Sequence, residues 1–422
     1  MRKRLLLTIA ATLTLAASAQ TRWGAAVYAN PGAELALDSY TEQWLKKRQT
    51  LSFGAELLYA PLPQDSGLFD RDYGYPTLAV GVRYCDNSRV RMHRDPSPDW
   101  GLAEEVDYDS RLGDTWSIYF RFARPIFRSR RWSAEYSMAT GFGYSHLIYN
   151  KVDDIDNELI GSHLNIYLDL GLNVAYQLTD DYALRLGLDY YHHSNGALAR
   201  PNKGANVLGP SVALVWFPGY TRDRQKTAAP RDTATTPTTG VEKGLSANIS
   251  LNVGGKTLLE DWQRTQFGTP SSDPDYRTDH FTFYTAYALR ADLTYRYARR
   301  WASGIGLDLF YGSYASHVRE MDEADGSDVA HSPWSVGIAL KHQAYYRNLS
   351  VALSFGWYLH RAMGVSAKLI EQPYYESIGL RYTFPRLAGL QLGAEVFAHR
   401  TKADFTAIVL SIPVWRQRTN RP

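Results

Sequence analysis

From Ser162 to Tyr176 the chain alternates. The even positions Leu164, Ile166, Leu168, Leu170, Leu172 and Val174 are aliphatic. The odd positions are His163, Asn165, Tyr167, Asp169, Gly171, Asn173 and Ala175. Successive side chains of a strand point to opposite faces, so a period of two gives one apolar and one wet face. The next segment repeats the pattern, with Leu184, Leu186 and Leu188 set against Arg185, Gly187 and Asp189. The same reading along the whole chain predicts strands near 23–37, 50–60, 75–85, 114–125, 131–147, 162–177, 182–194 and 206–217. A second set of eight follows near 245–257, 280–297, 300–314, 333–345, 349–361, 374–384, 389–400 and 404–415. About ten residues at roughly 3.3 Å each, tilted near 40°, span the apolar band of an outer membrane. The expected class is therefore all-β, a transmembrane antiparallel β-barrel. With a periplasmic N-terminus, short turns (FRSRR, LTDD, ARR, YYRN, PRLAG) fall on the inner side, and the longer 86–113, 148–161, 257–279 and 315–332 fall outside. PLPQDSGLFDRDYGY is a long inner connection that this topology leaves unexplained.

The N-terminus and composition agree with an outer-membrane location. Arg2, Lys3 and Arg4 precede an apolar run from Leu5 to Ala17, and Ala17-Ser18-Ala19 fits a signal-peptide cleavage site, giving a signal peptide at 1–19. No later run approaches the roughly 18 apolar residues of a membrane helix. The 30 Tyr and 11 Trp suit the aromatic girdles of a barrel. Cys85 is the lone cysteine and has no internal disulfide partner. A net charge of +3 gives no footing for nucleic acid. No cofactor or metal is expected. The acidic stretch HVREMDEADGSD at 317–328 does not have EF-hand spacing and reads as a solvated loop.

Residues 219–243 are rich in Thr, Pro, Ala and charge, a linker composition. They divide a first barrel half at 20–218 from a second at 244–422, as two tandem eight-stranded barrels or as one of sixteen strands. LRLGLDYYHHSN at 184–195 overlays LQLGAEVFAHRT at 390–401 without a gap. That alignment puts Ala398 opposite His192 and Arg400 opposite Ser194, so the second half lacks the His-x-Ser pair.

The chemistry is concentrated where the strand ALRLGLDYY runs into HHSNGALARPNKGAN. Counting by twos, His192 and Ser194 continue the lipid-facing row Leu184, Leu186, Leu188, Tyr190, whereas His193 joins Arg185 and Asp189 in the lumen. On the returning strand, Val212, Leu214 and Trp216 face lipid, and the same parity puts Asn206 on that face. Unpaired polar groups against hydrocarbon are costly, which argues for a task. Serine beside histidine is a nucleophile with its base. Asn206 can orient the imidazole, as can an acid of the 148–161 loop such as Glu158. Asn195 can donate to an oxyanion. Arg200 and Lys203 are candidate contacts for substrate phosphates, while Pro201, Asn202 and Gly204 read as loop-shaping residues.

The residues HHSNG, then PNKGAN, then a lipid-patterned strand, resemble the H-x-S-N … P-N-x-G motif of the outer-membrane lipid A 3-O-deacylases of the PagL type, also known as acyloxyacyl hydrolases. The resemblance is closest from Arg131 to Phe217. It implies an eight-stranded first barrel in the Gram-negative outer membrane. The implied enzyme is a serine esterase that removes an ester-linked acyl chain from lipid A, with lipopolysaccharide as substrate and the surrounding membrane lipids as partners. Ser194 is then the nucleophile, His192 the base, and Asn195 with Gly196 the oxyanion donors. Two positions depart from the founding pattern: Asn206 stands where a glutamate is expected, which matches a longer two-part branch, and Ala197 stands where a glycine is expected. The competing expectations are a porin or transport barrel and a barrel that keeps the motif without activity.

Overall fold

The computed structural model describes residues 22–63, 67–100, 108–221, 243–369, 372–400 and 402–418. The expected signal peptide at 1–19 and the linker residues 222–242 lie outside the described residues. Sixteen long strands close into two separate barrels of eight, which decides between tandem barrels and one large one. No helix among the described residues is long and apolar enough to cross a membrane.

The first barrel consists of β1 (Trp23–Glu34), β2 (Gln49–Tyr59), β3 (Thr77–Asp86), β4 (Thr115–Arg128), β5 (Trp132–Ser145), β6 (Leu164–Gln177), β7 (Tyr182–Ser194) and β8 (Ala205–Trp216). Each strand pairs antiparallel with the next, and β8 closes the ring on β1, with Ala25 opposite Trp216. On β6 the alternation is literal: Leu164, Leu170 and Leu172 are exposed on the outer face, while Asn165, Tyr167, Asp169 and Asn173 are buried. An eight-stranded interior is just wide enough for side chains to fill. Here they fill it with paired charges: Arg185 to Glu56 at 2.8 Å, Arg121 to Glu135 at 3.1 Å and Arg83 to Asp169 at 3.2 Å. Rings mark both ends of the wall, Trp23–Tyr59 and Trp132–Tyr176 at one, Tyr84–Trp116 at the other. The unexplained inner connection carries a short helix, Leu68–Asp72. Tyr73 packs edge-on against Phe122, and Arg128 donates to the carbonyls of Gly74 and Tyr75.

Two outer loops depart from the expected plain loops. Residues Arg91–Arg94 and Tyr108–Arg111 pair with each other, and Leu45–Lys47 pairs with Arg91–Arg94, forming a small three-stranded sheet. From this sheet the buried guanidinium of Arg94 bonds the carboxylates of Asp156 and Glu158, and Tyr40 donates to Glu158 at 2.7 Å. Asp154, also buried, accepts from the Arg111 N–H and from Asn157, and burial pushes its carboxyl up to about 6.

The second barrel consists of β9 (Gly244–Thr257), β10 (Phe283–Ala298), β11 (Trp301–Gly312), β12 (His331–Tyr346), β13 (Leu349–Met363), β14 (Tyr374–Phe384), β15 (Leu390–His399) and β16 (Lys402–Arg418), with β16 closing on β9. Its compact unit also takes in residues 98–100 and 195–203. Its interior is another charge lattice. Arg290 bonds Asp308 at 3.1 Å and also Glu395, Arg381 bonds Glu395 at 2.7 Å, and Lys341 bonds Asp308 at 2.7 Å. The stretch expected to be a solvated acidic loop is instead a helix, Ala315–Ala324. Val318 and Met321 are buried on one face. Beside them the buried carboxylate of Asp322 takes hydrogen bonds from the backbone of Val365 and Ser366, from the Ser366 hydroxyl at 2.6 Å, and meets His331 at 2.8 Å. An apolar stripe and one satisfied carboxylate hold it in place; composition alone shows only the excess charge.

Candidate active site

Antiparallel pairing sets His192 on β7 directly opposite Asn206 on β8. Side chains of such a pair lie about 5 Å apart at Cβ and can touch. His192 and Ser194 share a face two residues apart. The result is a continuous chain of hydrogen bonds: Ser194 Oγ to His192 Nε2 at 2.8 Å, and His192 Nδ1 to Asn206 Oδ1 at 2.8 Å. Ser194 and His192 are half-buried and Asn206 is buried.

The direction of proton traffic follows from one carbonyl. Asn206 Nδ2 lies 2.9 Å from the carbonyl oxygen of Gly204, which can only accept. The amide therefore turns its NH2 to Gly204 and its oxygen to His192. An oxygen facing Nδ1 requires Nδ1 to carry the proton, which leaves the Nε2 lone pair for the Ser194 hydroxyl. The Tyr190 hydroxyl donates to the same Asn206 oxygen at 2.7 Å. The Asn206 backbone N–H donates to the buried carboxylate of Glu34 on β1, and its carbonyl accepts from Leu35 N–H at 2.6 Å.

Gly204 contributes shape as well. Its φ is +80°, in the region that favours glycine, and a Cβ there would lie 2.4 Å from His192 Cε1. Glu158 is not an alternative partner for the histidine: it is held by Arg94 and Tyr40. His193 faces the lumen, with Nε2 2.8 Å from Ser117 Oγ and its ring against Tyr167.

Asn195 is buried. Its Oδ1 accepts from Ala199 N–H at 3.2 Å, its own N–H donates to Asn202 Oδ1 at 3.0 Å, and its Nδ2 has no hydrogen-bond partner among the described residues. Gly196 has φ +63°, and Ala197, standing where a glycine was expected, has φ +74°. Arg200, considered as a phosphate contact, is buried and donates to the Thr257 carbonyl at 3.0 Å. Beside the Ser194–His192 pair on the outer face lie Ile166 and Leu168 of β6, cross-strand neighbours of Ser194 and His192. The sequence reading missed Tyr190, Glu34 and the steric role of Gly204. Tyr190 was visible as the preceding member of the same face. Glu34 lies 172 residues from Asn206 and carries no local signal.

At the second barrel's counterpart, Ala398 pairs with Glu376 and Ala403, and His399 is the last residue of β15. Arg400 lies beyond the strand with φ +50°. Ser194, by contrast, is the final residue of β7. His399, aligned with His193, is likewise buried and meets the Tyr358 hydroxyl at 3.0 Å.

Family comparison bears on both halves. The lipid A 3-O-deacylase (PagL) model matches residues 80–214, and the acyloxyacyl hydrolase C-terminal domain model matches residues 245–413. No curated protein matches the chain. Among solved structures, the outer-membrane enzyme PagL is 15% identical with a TM-score of 0.28, covering 44% of this chain and 97% of that one. The NanC porin is 6% identical with a TM-score of 0.15, covering 91% and 97%. The siderophore receptor PirA from Pseudomonas aeruginosa is 8% identical with a TM-score of 0.21, covering 93% and 81%. At these TM-scores the structural likenesses carry no functional argument. The two family models fall one on each barrel, and the first contains every residue of the His192–Ser194–Asn206 chain. The protein belongs to the lipid A 3-O-deacylase family of outer-membrane hydrolases, with the family's acyloxyacyl hydrolase C-terminal domain as its second barrel.

Proposed function

We propose that the first barrel is a serine esterase that removes an ester-linked acyl chain from lipid A and so remodels lipopolysaccharide. The observation that carries this reading is the unbroken Ser194–His192–Asn206 hydrogen-bond chain on the lipid-facing side of a strand end. His192 Nε2 takes the hydroxyl proton as Ser194 Oγ adds to the ester carbonyl. By the family resemblance, Asn195 and Gly196 supply the hydrogen bonds to the oxyanion. Collapse of the adduct breaks the acyl C–O bond, and the imidazolium gives its proton to the departing sugar oxygen, which leaves as the free hydroxyl. Water, activated by the same imidazole, then releases the fatty acid and restores Ser194. Ile166 and Leu168 offer an apolar bed for the chain. Asn206 performs the orienting half of a carboxylate's role, since an amide oxygen fixes the tautomer but has no net charge to offer the imidazolium.

The test is mass spectrometry of lipid A from cells lacking the gene, cells making the protein and cells making Ser194→Ala. One acyl chain fewer only in the second strain is expected. An identical acylation pattern in all three, with the protein present, would end the esterase reading.

A further inference from the structure

We propose that Tyr190 is a positioning residue of the hydrolytic site, whose hydroxyl keeps the Asn206 amide the right way round for His192. This rests on the esterase reading above. Tyr190 lies on β7 between Leu188 and His192 in the outward row, and pairs across the sheet with Leu170 on one side and Leu208 on the other. Leu208 is two residues beyond Asn206 on β8, so Tyr190 and Asn206 are diagonal neighbours, a separation that an aromatic side chain can bridge. The phenol donates to Asn206 Oδ1 at 2.7 Å, the same oxygen that accepts from His192 Nδ1 at 2.8 Å. An amide oxygen has two lone pairs, and each takes one of these donors. A tyrosine at a barrel rim ordinarily turns its hydroxyl to the headgroups. This one is half-buried and turns it to a neighbouring amide.

A carboxylate presents an oxygen to a histidine whichever way it turns. An amide has one accepting end and one donating end, so only one of its orientations is useful here. With Nδ2 facing His192, Nδ1 would have to accept, the ring proton would sit on Nε2, and the Ser194 hydroxyl would meet a donor instead of a base. The carbonyl of Gly204 holds the nitrogen end at 2.9 Å, and Tyr190 holds the oxygen end. One clamp comes from the loop and the other from the wall of the barrel. The second barrel shows what is lost together with the imidazole. At the aligned positions Val396, Ala398 and Arg400 replace Tyr190, His192 and Ser194, while the inward aromatic is kept, with Phe397 for Tyr191, both buried. The outward phenol disappears with the group it serves, and the ring that packs inside stays.

The experiment uses the full chain, purified in detergent, with fatty acid release from lipid A as the assay and heat-dependent gel mobility as the check on folding. Nitrogen NMR of the histidine-labelled protein reads where the ring proton sits without any turnover, the His192 signals being assigned with His192→Gln. Tyr190→Phe removes the hydroxyl and keeps the ring; Tyr190→Leu, which continues the apolar row, repeats the measurement with a different shape should the first variant fail to fold. The expected result is a fall in kcat of roughly tenfold with KM unchanged, together with an Nε2–H form of His192 beside the Nδ1–H form of the wild type. A tyrosine that only packs or anchors predicts wild-type kcat and the Nδ1–H form alone, and one that touches the acyl chain predicts a raised KM; any of these overturns the proposal. Ser194→Ala, run alongside, separates the two readings. Activity surviving in it removes the esterase and the role of Tyr190 together, whereas its loss with Tyr190→Phe fully active removes Tyr190 alone.

Discussion

The two barrels are built from the same number of strands and filled by the same device, yet the hydrogen-bonded Ser194–His192–Asn206 row of the first has no counterpart at the aligned positions Ala398 and Arg400 of the second. In the first, Ser194 ends its strand in register, His192 stands opposite an asparagine, and a left-handed glycine leaves room for the ring. In the second, the aligned strand ends at His399, the register slips between Phe397 and Ala398, and Arg400 has left the strand. Both keep the inward histidine. The shared part is the interior, which both barrels need for stability; the difference is confined to the outward row, where a polar group has to justify its cost.

That contrast can be broken at several points. Ser194→Ala should have the largest effect, on the order of a thousandfold or more on fatty acid release, with heat-dependent gel mobility unchanged. Next is the interior of the second barrel. Arg290→Met strands Glu395 and Asp308 with fewer partners and should destabilise that barrel by about 3–5 kcal/mol. Hydrogen exchange across Phe283–Ala298 would rise, while exchange across Tyr182–Ser194 serves as the internal control. Equal loss in both would show that the barrels unfold as one cooperative unit. Gly204→Ala, which pushes a methyl group into His192, should lower kcat roughly ten- to hundredfold with little change in stability; wild-type activity would mean that the ring does not hold this position during turnover.

A smaller effect concerns the outer loop of the first barrel. Burial raises the Asp154 carboxyl to about 6 from its ordinary 3.8. The folded state therefore binds the proton more tightly than the unfolded one, and the loop is most stable below about pH 4. It loses stability as pH rises through 4 to 6, by an amount on the order of 1–2 kcal/mol. Amide exchange at Asn157 and Leu159, corrected for intrinsic rates, should quicken across that window, and Asp154→Asn should flatten the response. The smallest expected effect is a null one. Ala398→His with Arg400→Ser, placed in the Ser194→Ala protein, should restore no activity, because the second barrel offers neither strand geometry nor an asparagine across from the new histidine.

Much of this was legible in the sequence because a barrel wall has a period of two. Parity along Leu184 to Ser194 separated His192 from His193 and brought Asn206 to the same face, and each of these placements is found in the structure. The remainder depended on contacts that periodicity does not encode. Glu158 was a candidate acid until Arg94, from a small sheet that no alternation announces, claimed it. The 317–328 stretch reads as solvated by charge, yet Val318, Met321 and Asp322 bury one side of a helix there. Arg200 looked like a surface cation and is committed to a backbone carbonyl. Glu34 is one more carboxylate at the end of a strand until closure of the ring brings β1 beside β8.

The packed interiors have a consequence for the cell that makes this protein. With arginine–carboxylate lattices occupying both lumens, traffic along the barrel axes is obstructed, and the outer face of the wall is where the proposed chemistry takes place. On the proposed function, substrate arrives by lateral diffusion within a two-dimensional sheet, so turnover would follow the surface density of lipid A and the fluidity of its leaflet, not a bulk concentration. An organism could alter its envelope in this way without opening a leak in it.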